Sequence, residues 1–177
     1  MKNNSTVKKI VLTSLFAVLT CIATMIIQIP TPTNGYLNLG DVFVLTSALL
    51  LGSFYGPLAA GIGACMADVF AGYLIYAPGT LVIKALTAFV ASVAHRLFTG
   101  KKEKYRLIPL VSSCALGELV MVLGYLLYET ALPGINFFSA LLSVPANLMQ
   151  AFAGVVICVP LFKLLGSAKV IERIELQ

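Results

Sequence analysis

Apolar residues run along this chain in long stretches separated by short polar connections. Neither the strict alternation of a half-buried strand nor the single stripe of a soluble helix is present. A helix that crosses a bilayer needs about 20 largely apolar residues, each adding about 1.5 Å. The stretches that meet or approach this length are Lys9–Ile29, Val42–Phe54, Leu58–Phe70, Thr80–Phe98, Leu107–Tyr128 and Phe138–Leu165. The second and third are short. They flank Gly52-Ser53-Phe54-Tyr55-Gly56-Pro57, where Gly-Pro is expected to break the helix. They are expected to form a tight hairpin of two short or tilted spans. A single re-entrant hairpin is the alternative, and it too leaves both ends on one side. The pattern predicts an all-α integral membrane bundle of six transmembrane helices, one domain over residues 1–177.

Composition agrees with that solvent. The chain is 59% hydrophobic and 11% charged, against about 25% charged in soluble domains. The cations divide sharply: Lys2, Lys8 and Lys9 precede the first span, and Arg96, Lys101, Lys102, Lys104 and Arg106 join the fourth to the fifth. Lys163, Lys169 and Arg173 close the sixth, while the connections 30–40, 71–79 and 129–137 contain no Lys or Arg. The positive-inside rule therefore predicts cytoplasmic termini and an even number of spans. The net charge of +5 is a topological and lipid-facing signal rather than a nucleic-acid footprint. The first apolar stretch is too long for a signal-peptide core and lacks a small-residue cleavage site, so a retained helix is expected. Cys21, Cys65, Cys114 and Cys158 fall in four different spans without a C-x-x-C pair or a Cys/His cluster. They read as buried apolar thiols, and no metal or cofactor is expected.

Ionisable groups within apolar spans are costly, and each is a candidate for function. Here they are Asp68, Lys84 and Glu118, with Asp41 and Glu129 near the outer boundary. Helix rise places Lys84 about 6–9 Å below the outer end of its span and Glu118 about 16 Å from the inner end of its own. Glu118, Met121, Tyr125 and Tyr128 or Glu129 share one helical face. Asn147 and Gln150 share another just after Pro145, whose missing N–H is expected to bend the helix there. The outer connections add Asn34, Tyr36, Asn38, Tyr73 and Tyr76. Aromatic walls with a few convergent amides and charges describe a pocket for a small, flat, polar-edged molecule. Structural roles compete for the same residues. Asp68 and Lys84 can pair with each other, Asp41 can cap its helix, and the tyrosines can form an interfacial belt. Asn147 and Gln150 can join helices, and His95, next to Arg96, fits a solvated boundary position. On the first span, Thr13, Ala17 and Cys21 recur every four residues. Such small-residue spacing admits a second helix, which is either another subunit or a helix of this chain.

The order of several short words resembles the substrate-binding S components of energy-coupling-factor (ECF) vitamin transporters. They are Asn38-Leu39-Gly40-Asp41, Leu49-Leu50-Leu51-Gly52 with Gly56-Pro57, and Ala67-Asp68 with Gly72-Tyr73, Tyr76-Ala77-Pro78 and Lys84. Met121, Gly124-Tyr125, Tyr128-Glu129, Pro145-Ala146-Asn147 and Gln150 continue the similarity. The resemblance implies six helices with cytoplasmic termini and an outward-opening vitamin site lined by Glu118, Tyr125, Asn147, Gln150, Lys84, Asp68, Tyr73, Tyr76, Asn38 and Tyr36. It also implies a transmembrane coupling subunit and two ATPase subunits as partners, with Thr13, Ala17 and Cys21 facing the coupling subunit. The family's A-x-x-x-A contact is imperfect here, since Ala17 is followed by Cys21. The pattern looks most like the hydroxymethylpyrimidine- or pyridoxine-type group. The absence of a G-x-x-x-x-G-K-[ST] motif fits energy supplied by partners. The alternative is a self-sufficient proton-coupled transporter using Asp68 or Glu118, although inverted repeats are not evident. An enzyme is not expected, because no nucleophile–base pair is readable.

Overall fold

The computed structural model describes residues 2–31, 33, 35–99 and 105–167, with side chains from residue 6 onward. Asn34, Lys101, Lys102, Lys104, Lys169 and Arg173 lie outside the described residues. Helix α1 covers Lys2–Ile26 and is followed by a two-residue antiparallel ladder, β1 (Ile29–Pro30) with β2 (Tyr36–Leu37). Then come α2 (Asp41–Ala71), α3 (Ala77–Thr99), α4 (Leu107–Thr130), the short α5 (Phe137–Leu141) and α6 (Val144–Ser167). Among the described residues, five helical stretches are long and apolar enough to cross a membrane, the last being Phe137–Ser167. Helices satisfy their own backbone hydrogen bonds, which the bilayer demands.

The second and third predicted spans form one element, α2, interrupted at Gly52. Its backbone there has φ 78° and ψ −171°, a region open essentially to glycine alone. The expected break at Gly56-Pro57 is corrected: Pro57 lies inside the helix, and Gly52 makes the reversal. In a straight helix residues 47 and 56 would stand about 13 Å apart. Here the Ser47 hydroxyl lies 3.3 Å from the Gly56 carbonyl oxygen. A Cβ on Gly56 would come within 2.8 Å of the Ala48 Cα, so glycine lets the two limbs touch. α2 is thus a hairpin whose far ends, Asp41 and Asp68, return to the same region.

The last predicted span begins differently from expectation. The chain turns between α5 and α6, and Pro145 stands in the first turn of α6 rather than bending a continuous helix. A proline costs little there, because the first helical N–H groups have no partner within the helix.

Phe16, Thr20 and Thr24 form the buried face of α1. Thr13, Ala17 and Cys21 flank it, half-buried. Gly63 of α2 lies directly on the Ala17 carbonyl, so part of that small-residue face packs within the chain. Leu45, Ala48, Ala59, Ala60, Ala88, Ala91, Leu110 and Phe162 form the main core. Its many alanines bring helix backbones close, as dispersion-driven packing in lipid requires. Leucine, isoleucine, valine and phenylalanine cover the outside, including Ile10, Val18, Phe70, Ile108 and Phe152. That polarity is the inverse of a soluble fold.

Candidate substrate site

At one end of the bundle the β1–β2 ladder and the starts or ends of α2, α3, α4 and α6 border a narrow, partly open cavity of about 30 Å³. Of the residues singled out in the sequence, Tyr36, Asn38, Asp68, Tyr76, Tyr125, Asn147 and Gln150 line it. Thr31, Gly35, Thr80 and Glu129 complete the wall. Thr80 was legible in principle, since it lies four residues before Lys84 on the same helical face. Thr31 and Gly35 depend on the fold of the loop, for which the sequence has no periodic signal.

Each wall residue is held by a specific contact. The Tyr36 hydroxyl donates to Asp68 Oδ1 at 2.6 Å, and its ring centroid lies 4.5 Å from that of Tyr73. Tyr73 therefore supports the wall from behind rather than lining it. The Tyr76 hydroxyl donates to the Thr33 carbonyl at 2.6 Å. The Thr33 hydroxyl in turn donates to Glu129 Oε1 at 2.9 Å, and the Ser143 hydroxyl lies 2.5 Å from Glu129 Oε2. The loop is thereby tied to α3, α4 and the approach to α6. Tyr76 is 5% exposed, which sets it apart from an interfacial belt. Burial pushes its hydroxyl up to about 12, and burial together with Asp68 pushes that of Tyr36 well above the usual tyrosine range. Both stay protonated donors at any physiological pH.

Beneath the cavity lies an ion-pair network. Lys84 Nζ donates to Asp41 Oδ1 at 2.5 Å, with both side chains almost fully buried. Pairing of Lys84 with Asp68 is thus corrected: the lysine bonds Asp41, and Asp68 takes the Tyr36 hydroxyl. Asp41 is no side-chain cap either, because Gly40 precedes the helix and Asp41 spends its carboxylate on Lys84 and Gln150. Gln150 Nε2 donates to Asp41 Oδ2 at 2.6 Å, and the Asn38 N–H donates to Gln150 Oε1 at 2.8 Å. The Lys84 ammonium also lies 5.4 Å from the Tyr125 ring centroid, a favourable cation–π distance. Tyr125 shares a 3.0 Å hydrogen bond with Thr80. The relay from Lys84 through Asp41 and Gln150 to Asn38 fixes the cavity floor.

Three more expected positions move. Lys84 and Glu118 do not line the cavity; Lys84 lies under its floor, and Glu118 is buried between α4 and α6 beside Gly154 and Asp41. His95 is 8% exposed, edge-on to Phe162 at 5.8 Å, and not a solvated boundary residue. Two buried polar atoms of the cavity wall have no partner among the described residues: Asp68 Oδ2, an acceptor, and Asn147 Nδ2, a donor. Burying such groups unpaired costs about 1–3 kcal/mol each.

A membrane bundle with a polar, loop-covered cavity at one end defines a class. Its backbone superimposes on a solved S component of a bacterial ECF transporter with a TM-score of 0.67, over 94% of this chain and 98% of that one, at 16% identity. An uncharacterised Pyrococcus woesei protein, described only by its place in the gap 3′ region, is 35% identical over 137 residues, covering 77% of this chain and 86% of the relative. Residues 4–167 match the family described as ECF-type riboflavin transporter, S component, and the chain belongs to that family. It is therefore a substrate-binding membrane subunit of an ECF transporter and not an enzyme. S components act with an ECF module of T and ATPase subunits and with a small-molecule substrate.

Proposed function

We propose that this chain captures a small water-soluble vitamin or precursor from outside the cell. It then delivers its load by reorienting in the membrane on a coupling subunit driven by two ATPase subunits. The observation that carries this is the cavity itself, with an unpaired acceptor on Asp68 and an unpaired donor on Asn147 between tyrosine walls. A heterocycle bearing both a hydrogen-bond donor and an acceptor on its rim satisfies both atoms. Tyr36, Asn38, Tyr76, Tyr125 and Gln150 are the further contacts, with Tyr73 and Lys84 behind them. The matched family favours a flavin as that heterocycle. A single ring of the hydroxymethylpyrimidine or pyridoxine type is the second reading, favoured by the narrow cavity and by the sequence words around Asp68 and Asn147. In the same proposal the two limbs of α2 are both spans, which makes six, with cytoplasmic termini. The exposed edges of Thr13, Ala17 and Cys21 then meet the coupling subunit.

Thermal unfolding of the purified protein with riboflavin, hydroxymethylpyrimidine, pyridoxine and thiamine tests this. A tight ligand at a thousandfold excess over Kd stabilises the fold by about 4 kcal/mol. A shift with riboflavin alone supports the flavin, and a shift with a single-ring compound alone supports the second reading. No shift with any of them overturns vitamin capture. Proton-driven uptake by this chain alone in proteoliposomes favours the self-sufficient transporter working through Asp68 or Glu118.

A further inference from the structure

The cavity wall carries acids without a base. Asp68 and Glu129 both line it, each 3% exposed, and among the described residues the lining holds no lysine, arginine or histidine. The imbalance continues beneath the floor. Asp41, Asp68, Glu118 and Glu129 are all buried, against Lys84 as the single buried lysine among the described residues. Lys84 brings the cavity no free charge, because Asp41 Oδ1 holds its ammonium at 2.5 Å.

The two wall acids differ in what they have left to give. Glu129 meets the Thr33 hydroxyl at Oε1 and the Ser143 hydroxyl at Oε2. Asp68 accepts from Tyr36 at Oδ1, and its Oδ2 is buried with no partner among the described residues. A buried carboxylate without a counter-charge is costly, and either a proton or a cation relieves it. The aromatic wall favours the cation. Tyr36, Tyr76 and Tyr125 have their hydroxyls engaged, with Asp68, the Thr33 carbonyl and Thr80 in turn. What they still offer is the ring, whose negative face attracts a cation. Tyr125 already does this within the chain, with the Lys84 ammonium 5.4 Å from its centroid.

We propose that the substrate carries a protonated amine, seated against Asp68 Oδ2 among these tyrosine rings. This rests on the reading of the cavity as the substrate site, and it narrows the substrate class. The complement is a small ring with a cationic N–H donor and a neutral acceptor, the acceptor meeting the unpaired Asn147 Nδ2. An uncharged flavin leaves Asp68 without a counter-charge. A phosphate ester is rejected, because it brings a like charge to Asp68 and Glu129.

Isothermal titration of the purified whole chain in lipid nanodiscs, near neutral pH, tests this with matched compounds. Pyridoxamine carries an ammonium where pyridoxine carries a hydroxyl, and pyridoxamine phosphate adds an anion. Benzylammonium and benzyl alcohol make the same exchange on a plain ring. Pyridoxamine is expected to bind at least about tenfold more tightly than pyridoxine or the phosphate ester. Benzylammonium is expected to bind more tightly than benzyl alcohol. In Asp68→Asn, which keeps an acceptor for the Tyr36 hydroxyl, the preference for the ammonium is expected to disappear. Pyridoxine or riboflavin binding as tightly as pyridoxamine overturns the cationic substrate and leaves vitamin capture standing. A preference that survives in Asp68→Asn overturns Asp68 as its anchor. Benzylammonium binding with no vitamin bound keeps the cation site and overturns vitamin capture, and silence from every compound overturns both.

Discussion

Lys84 is buried among apolar helices with Asp41 as its ion-pair partner, and removing either one strands a charge in a low-dielectric interior. Lys84→Met is therefore expected to lower stability by about 3–5 kcal/mol, read as a lower thermal midpoint in detergent. The double variant Lys84→Met, Asp41→Asn is expected to recover most of that loss, because no charge is left unpaired. Recovery distinguishes the pair from simple packing of the lysine stem. At the cavity wall, Tyr36→Phe removes the hydroxyl that orients Asp68. A hydrogen bond to a charged group is worth about 1.5–3 kcal/mol, so ligand affinity is expected to fall at least tenfold, measured by equilibrium dialysis of the purified protein. These residues also mark how far sequence reaches. Asp41, Asp68 and Lys84 were visible as misplaced charges, but which carboxylate holds the lysine depends on where the α2 hairpin closes. Glu118 and Tyr125 share a helical face by spacing alone. Seven residues are nearly two turns, and across that distance Tyr125 meets the cavity while Glu118 stays buried beside Gly154 and Asp41.

Among the elements, α2 depends most on a single position. Its reversal needs a backbone conformation that side chains avoid, and a Cβ at Gly52 meets no neighbouring atom within 4 Å. Gly52→Ala therefore isolates backbone strain from steric clash. A cost of about 1–3 kcal/mol is expected, again as a lower midpoint, whereas Ser53→Ala one residue later is expected to be nearly silent. Sequence placed the hairpin correctly and its hinge wrongly, because Gly-Pro is the stronger general breaker while Gly52 alone carries the positive φ here. The split between α5 and α6 was hidden for a similar reason: residues 138–165 are predominantly apolar, and hydropathy does not report a turn made by Leu142 and Ser143.

For the whole molecule, the proposed topology makes the two ends chemically distinct. A cysteine placed at Gly134, between α4 and α5, in a background with the four native cysteines replaced is expected to react with an impermeant maleimide on intact cells. One placed at Ser167, at the end of α6, is expected to react only after the membrane is opened. The reverse pattern overturns the cytoplasmic termini. The membrane class followed from hydropathy, since bilayer thickness fixes helix length directly. The loop contacts through Thr33, Thr31 and Gly35 had no such physical ruler.

The buried pair also bears on biogenesis. A lysine within a span costs up to about 2.5–3.5 kcal/mol when the translocon releases it alone into lipid. Its counter-charge, Asp41, is synthesised 43 residues earlier. The hairpin is therefore expected to stay beside the translocon until α3 emerges, so that the two leave it with these charges paired. With Asp41 replaced by leucine, α3 loses its chaperoning charge and should linger at the translocon, a delay that site-specific crosslinking during synthesis would record. The residue pair that steadies the floor of a finished cavity would then, at an earlier moment, set the order in which helices leave the translocon.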